Sequence, residues 1–235
     1  MKFRKQCCKI LRECLSVNEN DKVLIIYDKK TKWLADELLK TASEICDAHV
    51  SEIPISEVNG VEPPDNVSDD MLNYTVVLAP TTKSITHTKA VENAVEKEIR
   101  VATLPGINRK IMEQSMLADY NEIERTTLNL FKKLKGANEV IVKTSNGTDI
   151  SFSANAREWR LDTGKIKKCG NLPAGEVFIA PMEGTTNGVI VIDKFENDGE
   201  IFAKKGTKII VRNGKAIDVS DKKSKIAELF KRFEN

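Results

Sequence analysis

The sequence predicts an α/β chain: a parallel sheet with helices on both faces in an N-terminal domain, followed by a β-rich α+β second region. Three observations predict it. Over residues 20–105 short apolar runs alternate with helical patterns, the order that builds parallel sheets. Those runs are continuously apolar, as strands covered on both faces must be. After Pro105-Gly106 the pattern changes to short strands punctuated by Gly, Asn and Asp. The expected division is 1–106 for the α/β domain and 107–235 for the second region, which two helices lead and one helix closes.

Each element has its own signature. Residues 3–16 carry Cys7, Ile10, Leu11, Cys14 and Leu15 at helical spacing. Cys7 and Cys14 thereby read as small apolar core members rather than redox or metal thiols. Val23-Leu24-Ile25-Ile26-Tyr27, ending at Asp28, reads as a buried strand. A helix follows from Lys32 to Cys46, with Leu34, Leu38, Leu39, Ala42 and Ile45 on one face. Val50–Ile55 is a weaker strand, and Pro63-Pro64 through Asp70 a polar connection. Thr75–Ala79 is the next strand, Ser84–Lys97 a helix, and Arg100–Leu104 another strand.

Two helices are expected near 108–117 and 119–135. Asp119 opens the second, with Glu122 three residues on in capping-box spacing. Strands follow at Val140–Lys143, Ile150–Ser153, Val177–Ala180, Val189–Ile192, Ile201–Ala203, Ile209–Val211 and Ala216–Val219. Asn213-Gly214 predicts a two-residue hairpin turn, since a type I′ turn requires positive φ at both positions. Residues 220–234 close the chain as a helix with Ile226, Leu229, Phe230 and Phe233 as its apolar set.

Composition excludes several functions. The 235 residues carry a formal net charge of +2, with 31% charged and 40% hydrophobic side chains. Such values argue against disorder and against a strongly nucleic-acid-binding chain. An aromatic content of 6% leaves little surface for stacking bases. No apolar run reaches the roughly 18 residues of a membrane helix, and the N-terminus has no signal-peptide apolar core. The five cysteines show no C-x-x-C spacing. The expectation is a cytoplasmic protein with neither nucleic-acid nor membrane partners.

Chemistry has three candidate places. Pro80–His87 leaves a predicted parallel strand and enters a helix, the corner at which open sheets bind ligands. Thr81, Thr82, Ser84 and His87, with Lys83 among them, would suit an anionic or carboxylate ligand there. The competing reading is a helix cap at Ser84 and a partly buried His87. Asp162-Thr163-Gly164 spells the aspartic-protease triplet, but Lys165, Lys167 and Lys168 follow where those enzymes have apolar strands. Third, the Gly- and Pro-rich turn Asn171–Pro181 opens a strand with Glu176, a carboxylate suited to a hard metal ion. Glu183 and Asp193 would add weaker oxygen ligands. His49 and His87 are the only histidines, so a histidine-rich zinc centre is not expected within this chain.

The pieces Ser84–Thr88, Arg100–Ile107, Gly147-Thr148-Asp149, Asp162-Thr163-Gly164 and Asn171–Pro181, running on to Asp193, occur in that order. With them the chain resembles the aminopeptidase T (leucyl aminopeptidase) family of metallopeptidases over most of residues 1–220. The resemblance implies a metal-dependent aminopeptidase that releases N-terminal residues from peptides. It also implies a two-metal site and a divalent ion: Zn, Co, Mn or Mg. One metal-ligand position carries over onto this sequence, Glu176 of the Asn-x-Pro-x-x-Glu block. The family's other ligands lie in a part that follows the strand region, so the chain resembles the family's front half and is expected to be incomplete as an enzyme. Relatives of the fold are implied to include iron(II) ring-opening dioxygenases acting on hydroxypyridines. A non-catalytic binding or assembly module is the remaining alternative. The expected partners are a peptide or small-molecule substrate and a second copy. A homodimer would cover apolar surface at strands 177–192 and on the final helix, unless that helix folds back over its own sheet.

Overall fold

The computed structural model describes residues 2–197 and 200–233, apart from the side chains of 196, 197, 200, 232 and 233. In chain order the elements are α1 (Arg4–Cys8), running on as a π-helical stretch Lys9–Cys14, β1 (Lys22–Asp28), α2 (Lys32–Ala42), β2 (Asp47–Ile53), α3 (Asp65–Met71), β3 (Val76–Ala79), α4 (Lys89–Glu96) and β4 (Arg100–Thr103). Then come α5 (Arg109–Gln114), α6 (Tyr120–Leu134), β5 (Glu139–Lys143), β6 (Asp149–Ser153), β7 (Arg160–Asp162), β8 (Cys169–Asn171) and β9 (Glu176–Phe178). The last are β10 (Asn187–Ile192), β11 (Phe195–Asn197), β12 (Glu200–Ala203), β13 (Thr207–Arg212), β14 (Lys215–Val219) and α7 (Lys225–Phe233).

Contacts divide the chain into two units, Met1–Leu130 with Leu161–Val177, and Phe131–Arg160 with Phe178–Asn235. A single cut after residue 106 does not reproduce this division, because the chain returns to the first sheet. Cys169–Asn171 pairs in parallel with Val101–Thr103 and becomes the edge strand.

The first unit holds a five-stranded sheet in the order β2-β1-β3-β4-β8, parallel at every pairing. Alternate residues of its strands feed two cores. Val23, Ile25, Val76, Leu78 and Ala102 pack with Leu11, Leu34, Leu38, Met112 and Tyr120 of one helical layer. Leu24, Ile26, Val77 and Val101 pack with Val67, Met71, Ala90, Val91 and Ala94 of α3 and α4. The predicted parallel sheet with helices on both faces is therefore the observed one. Cys7 and Cys14 are buried in the first core, as their helical spacing predicts.

Several boundaries differ from the sequence reading. Residues 65–71, expected within a polar connection, form α3, because Val67 and Met71 give it one buried side while its remaining polar groups stay outside. β2 begins at Asp47, since the parallel register Lys22↔Asp47 through Asp28↔Ile53 pairs its whole length with β1. Asp119 caps α6 as predicted, its Oδ1 accepting from the Asn121 and Glu122 N–H groups at 2.9 and 3.2 Å. Arg100 at the start of β4 forms an ion pair with the buried Asp21. Burial works to raise the Asp21 carboxyl. Hydrogen bonds from the Asn18 N–H, Arg100 and Thr75 outweigh it and hold that carboxyl below its ordinary range.

The second unit holds an antiparallel sheet in the order β14-β13-β10-β6-β5. The β13–β14 turn has φ +49° at Asn213 and +77° at Gly214, the two positive angles that the Asn-Gly pair predicts. Ile226, Ala227 and Phe230 of α7 pack on Ile190, Ile209, Val211 and Val219, so the final helix covers its own sheet. Phe233, placed in the same apolar set from the sequence, lies outside the described side chains. At Gly188 the φ angle is +137° and a Cβ would stand 2.2 Å from the Asp149 carbonyl oxygen.

Two outcomes follow for stability. Gly188→Ala is expected to cost more than about 3 kcal/mol in urea unfolding, since both backbone strain and an overlap with β6 backbone must be relieved. For Asp21, a carboxyl depressed on folding adds stability above its unfolded pKa, and that stability is lost as pH falls through the lower folded value. Asp21→Asn should therefore lower the melting temperature at pH 7 and flatten its dependence on pH below about 4. A variant as acid-sensitive as the parent would contradict the assignment.

Candidate functional site

The parallel strands β1, β3, β4 and β8 end at one edge of the sheet, and the residues expected to form a ligand crevice sit there. β1 and β3 are neighbours whose connections leave in different directions, which makes their C-terminal ends the switch point of the sheet. Asp28 ends β1 and is only 2% exposed. Its carboxylate accepts from the Thr82 N–H, from the Thr82 hydroxyl at 2.9 Å and from the Lys30 N–H at 2.9 Å. The Thr81 hydroxyl is buried and donates to the Lys83 carbonyl at 2.7 Å. Thr81 and Thr82 are thus engaged by the protein itself. A second anion at this point would lie beside the Asp28 charge, in surroundings that screen it poorly.

The helix behind this corner starts later than expected. α4 begins at Lys89 rather than Ser84, with Thr88 as its cap. Ser84 is held elsewhere: its N–H donates to Asn59 Oδ1 at 2.8 Å and its carbonyl accepts from the Gly60 N–H at 2.8 Å. The free N–H groups of Lys89 and Ala90 donate to the Glu62 carboxylate, at 2.6 and 3.1 Å. The donors that would attract an anionic ligand are therefore satisfied by a carboxylate of the same chain.

At β4 and β8 the edge is lined by hydroxyls. Asn171 Oδ1 accepts from Thr103 Oγ1 at 2.6 Å and from Thr86 Oγ1 at 3.1 Å. Thr86 Oγ1 also meets Ser84 Oγ at 2.8 Å. This network ties the end of β8 to the end of β4. His87 is exposed rather than partly buried. With Thr86, Lys89, Glu92 and Cys169 it lines a cleft of about 380 Å³. Cys169 is exposed in this cleft, though the protein packed around it still raises its thiol pKa.

Glu176 opens β9 and is exposed. Leu172, at the start of the same turn, is buried, and the Leu172–Pro173 peptide is cis. Ile123 of α6 stands against Gly175, whose added Cβ would come within 2.9 Å of it. The backbone leading into Glu176 is thus seated on α6. Glu183 is exposed and paired with Arg157. A hydrogen bond from its own N–H and the Arg157 partner hold its carboxyl below the usual range. Asp193 is exposed. Asp162-Thr163-Gly164 is a turn, in which Asp162 Oδ1 accepts from the Gly164 N–H at 3.0 Å. The Tyr120 ring fills the space where a Gly164 Cβ would be, so the triplet serves packing.

The donor set can be tested against a metal. Among the described residues no three His, Cys, Asp or Glu side chains form a group that could hold one. One exposed carboxylate is far from the several protein ligands that hold a catalytic ion. The described residues therefore do not by themselves fit a divalent metal centre.

A family model described as thermophilic metalloprotease (M29) matches residues 62–231, a span that includes both the α4 corner and the Glu176 turn. The chain belongs to that family. Among solved structures, this M29 chain is similar to 2,5-dihydroxypyridine dioxygenase from Pseudomonas putida KT2440. The identity is 12% and the TM-score 0.79, over 99% of this chain and 72% of that one. It is also similar to wild-type AmpT from Thermus thermophilus, at 14% identity and a TM-score of 0.61, over 97% of this chain and 73% of that one. Likeness at these identities establishes the fold. No curated protein matches the M29 chain. Among its described residues no helix is long and apolar enough to cross a membrane.

Sequence reasoning missed Asp28, Thr103 and Glu62. Asp28 carried a signal, as an acidic residue ending an apolar strand. Glu62 carried none, because its partners lie 27 and 28 positions away. The arrangement predicts that Asp28→Ala destabilises the protein by about 1–2 kcal/mol, because it removes the buried acceptor of the half-buried Thr82 donors and of the Lys30 N–H. Asp28→Asn, which keeps an acceptor oxygen, should cost less than half of that. Chemical denaturation of both variants provides the comparison.

Proposed function

We propose that the chain serves metal-dependent aminopeptidase chemistry, the release of N-terminal residues from peptides, with Glu176 contributing one carboxylate to the site. The observation that carries this reading is the M29 match, which spans Glu176 and the turn in front of it. The role given to this chain's own residues is limited. α6 seats the backbone before Glu176 through Ile123 and Gly175, and the carboxylate stands open to a substrate or an ion. Its partners as an enzyme are a peptide substrate and a divalent ion, with neither nucleic acid nor membrane involved, and its place is the cytoplasm. A second reading, ring-opening of a hydroxypyridine, draws support from the higher TM-score of the dioxygenase neighbour.

The test is leucyl-p-nitroanilide turnover with Co²⁺, Zn²⁺ or Mn²⁺ added in turn. Metal-dependent turnover is expected. Glu176→Ala should lower it by at least about a hundredfold, more than loss of an outer-sphere partner usually costs. Turnover that survives Glu176→Ala removes Glu176 from the site. No turnover with any of the metals, set against oxygen uptake with 2,5-dihydroxypyridine and iron(II), transfers the assignment to the second reading. Inactivity in both assays leaves a binding or assembly module.

A further inference from the structure

We propose that the free edge of β5 is a self-association surface, on which a second copy of this chain adds its own β5 antiparallel about a two-fold axis through Ile141. The homodimer expected from the sequence was assigned to strands 177–192 and the final helix, but α7 packs on its own sheet. β5 offers a different surface. Among the described residues it ends the antiparallel sheet, paired with β6 on one side alone. Ile141 is 56% and Val142 41% exposed. An exposed apolar edge of this kind is a template for another strand.

The phase of the hydrogen bonds fixes which backbone groups face out. The Ala154 N–H donates to the Asn138 carbonyl, and the Thr144 N–H to the Thr148 carbonyl. Bonded pairs recur at every second residue in an antiparallel ladder, so Asn138, Val140, Val142 and Thr144 bond inward to β6. Glu139, Ile141 and Lys143 therefore turn their N–H and C=O groups to the open side. A two-fold axis through Ile141 sets Ile141 opposite Ile141, and Glu139 opposite Lys143 at both ends. The three outward residues of each copy meet the three of the other in bonded register.

The side chains agree with the backbone. The segment Glu139-Val140-Ile141-Val142-Lys143 is complementary to itself when reversed. Each Glu139 would face a Lys143, Ile141 would face its copy, and Val140 would face Val142 on the other side of the ribbon. Opposite charges and β-branched pairs directly across a ladder are stabilising, and like charges are destabilising. Lys143 already bonds Asp149 of β6 at 3.0 Å, so in the pair it would lie between two carboxylates. The surface is isologous and closes on itself as a dimer rather than growing into a filament.

Light scattering on an eluting gel-filtration peak should show the mass rising with concentration from 26.3 kDa towards twice that value. Ile141→Pro removes an outward N–H and no bond to β6, a change that an edge strand tolerates. It should abolish association while circular dichroism stays as in the parent. Glu139→Lys and Lys143→Glu each set like charges opposite and should weaken association on the order of tenfold. Mixing these two variants restores opposite charges at both ends, and a heterodimer should form. A parent protein that is monomeric at every concentration overturns the proposal. So does a dimer indifferent to Ile141→Pro, or a mixture that associates no better than its components.

Discussion

A strand buried on both faces needs apolar partners on each, and β1 imposes that demand on the first unit. Leu24, Ile25 and Ile26 are fully buried, yet they point alternately to opposite sides of the sheet. One helical layer cannot satisfy them. α1 and α2 answer Val23 and Ile25, while α3 and α4 answer Leu24 and Ile26. The parallel order of the strands follows, since each helix must cross over the sheet before the chain returns.

The same topology concentrates loops at the C-terminal ends of the strands, where a ligand crevice forms in open sheets. In this chain the crevice is furnished with its own carboxylates. Asp28 takes the Thr82 donors and Glu62 takes the first free N–H groups of α4. These contacts satisfy groups that would otherwise cost free energy to bury or to leave unpaired. At the Thr81–Ser84 corner the polar groups bond within the chain, whereas Glu176 is exposed.

What the sequence made legible, and what it hid, divides by range of interaction. β1, β3 and β4 were visible as apolar runs, the Asp119 cap by its spacing to Glu122, and the β13–β14 turn by Asn213-Gly214. All of these are local signals. β8 was invisible: Cys169-Gly170-Asn171 has no strand propensity and is a strand because β4 offers it an unpaired edge. α3 was hidden because only Val67 and Met71 mark its buried side. The late start of α4 depends on Ser84 being held by Asn59 and Gly60, contacts made across 25 residues or so. For the site, Glu176 was legible through its motif, whereas the environment that sets Thr82 and His87 apart comes from chain folding and not from neighbours in sequence.

β8 has a consequence in time as well as in space. Its terminal Asn171 meets Thr103 across 68 residues of chain, and contacts so distant in sequence form late and slow the folding of the sheet that needs them. During synthesis at roughly 5–20 residues per second, that interval lasts about 3–14 s. Through it β4 has emerged without its neighbour, and its outer edge and the Thr103 hydroxyl lack the partner that later covers them. Until residues 169–171 arrive, the nascent first unit presents an open parallel edge, of the kind that templates strand mispairing.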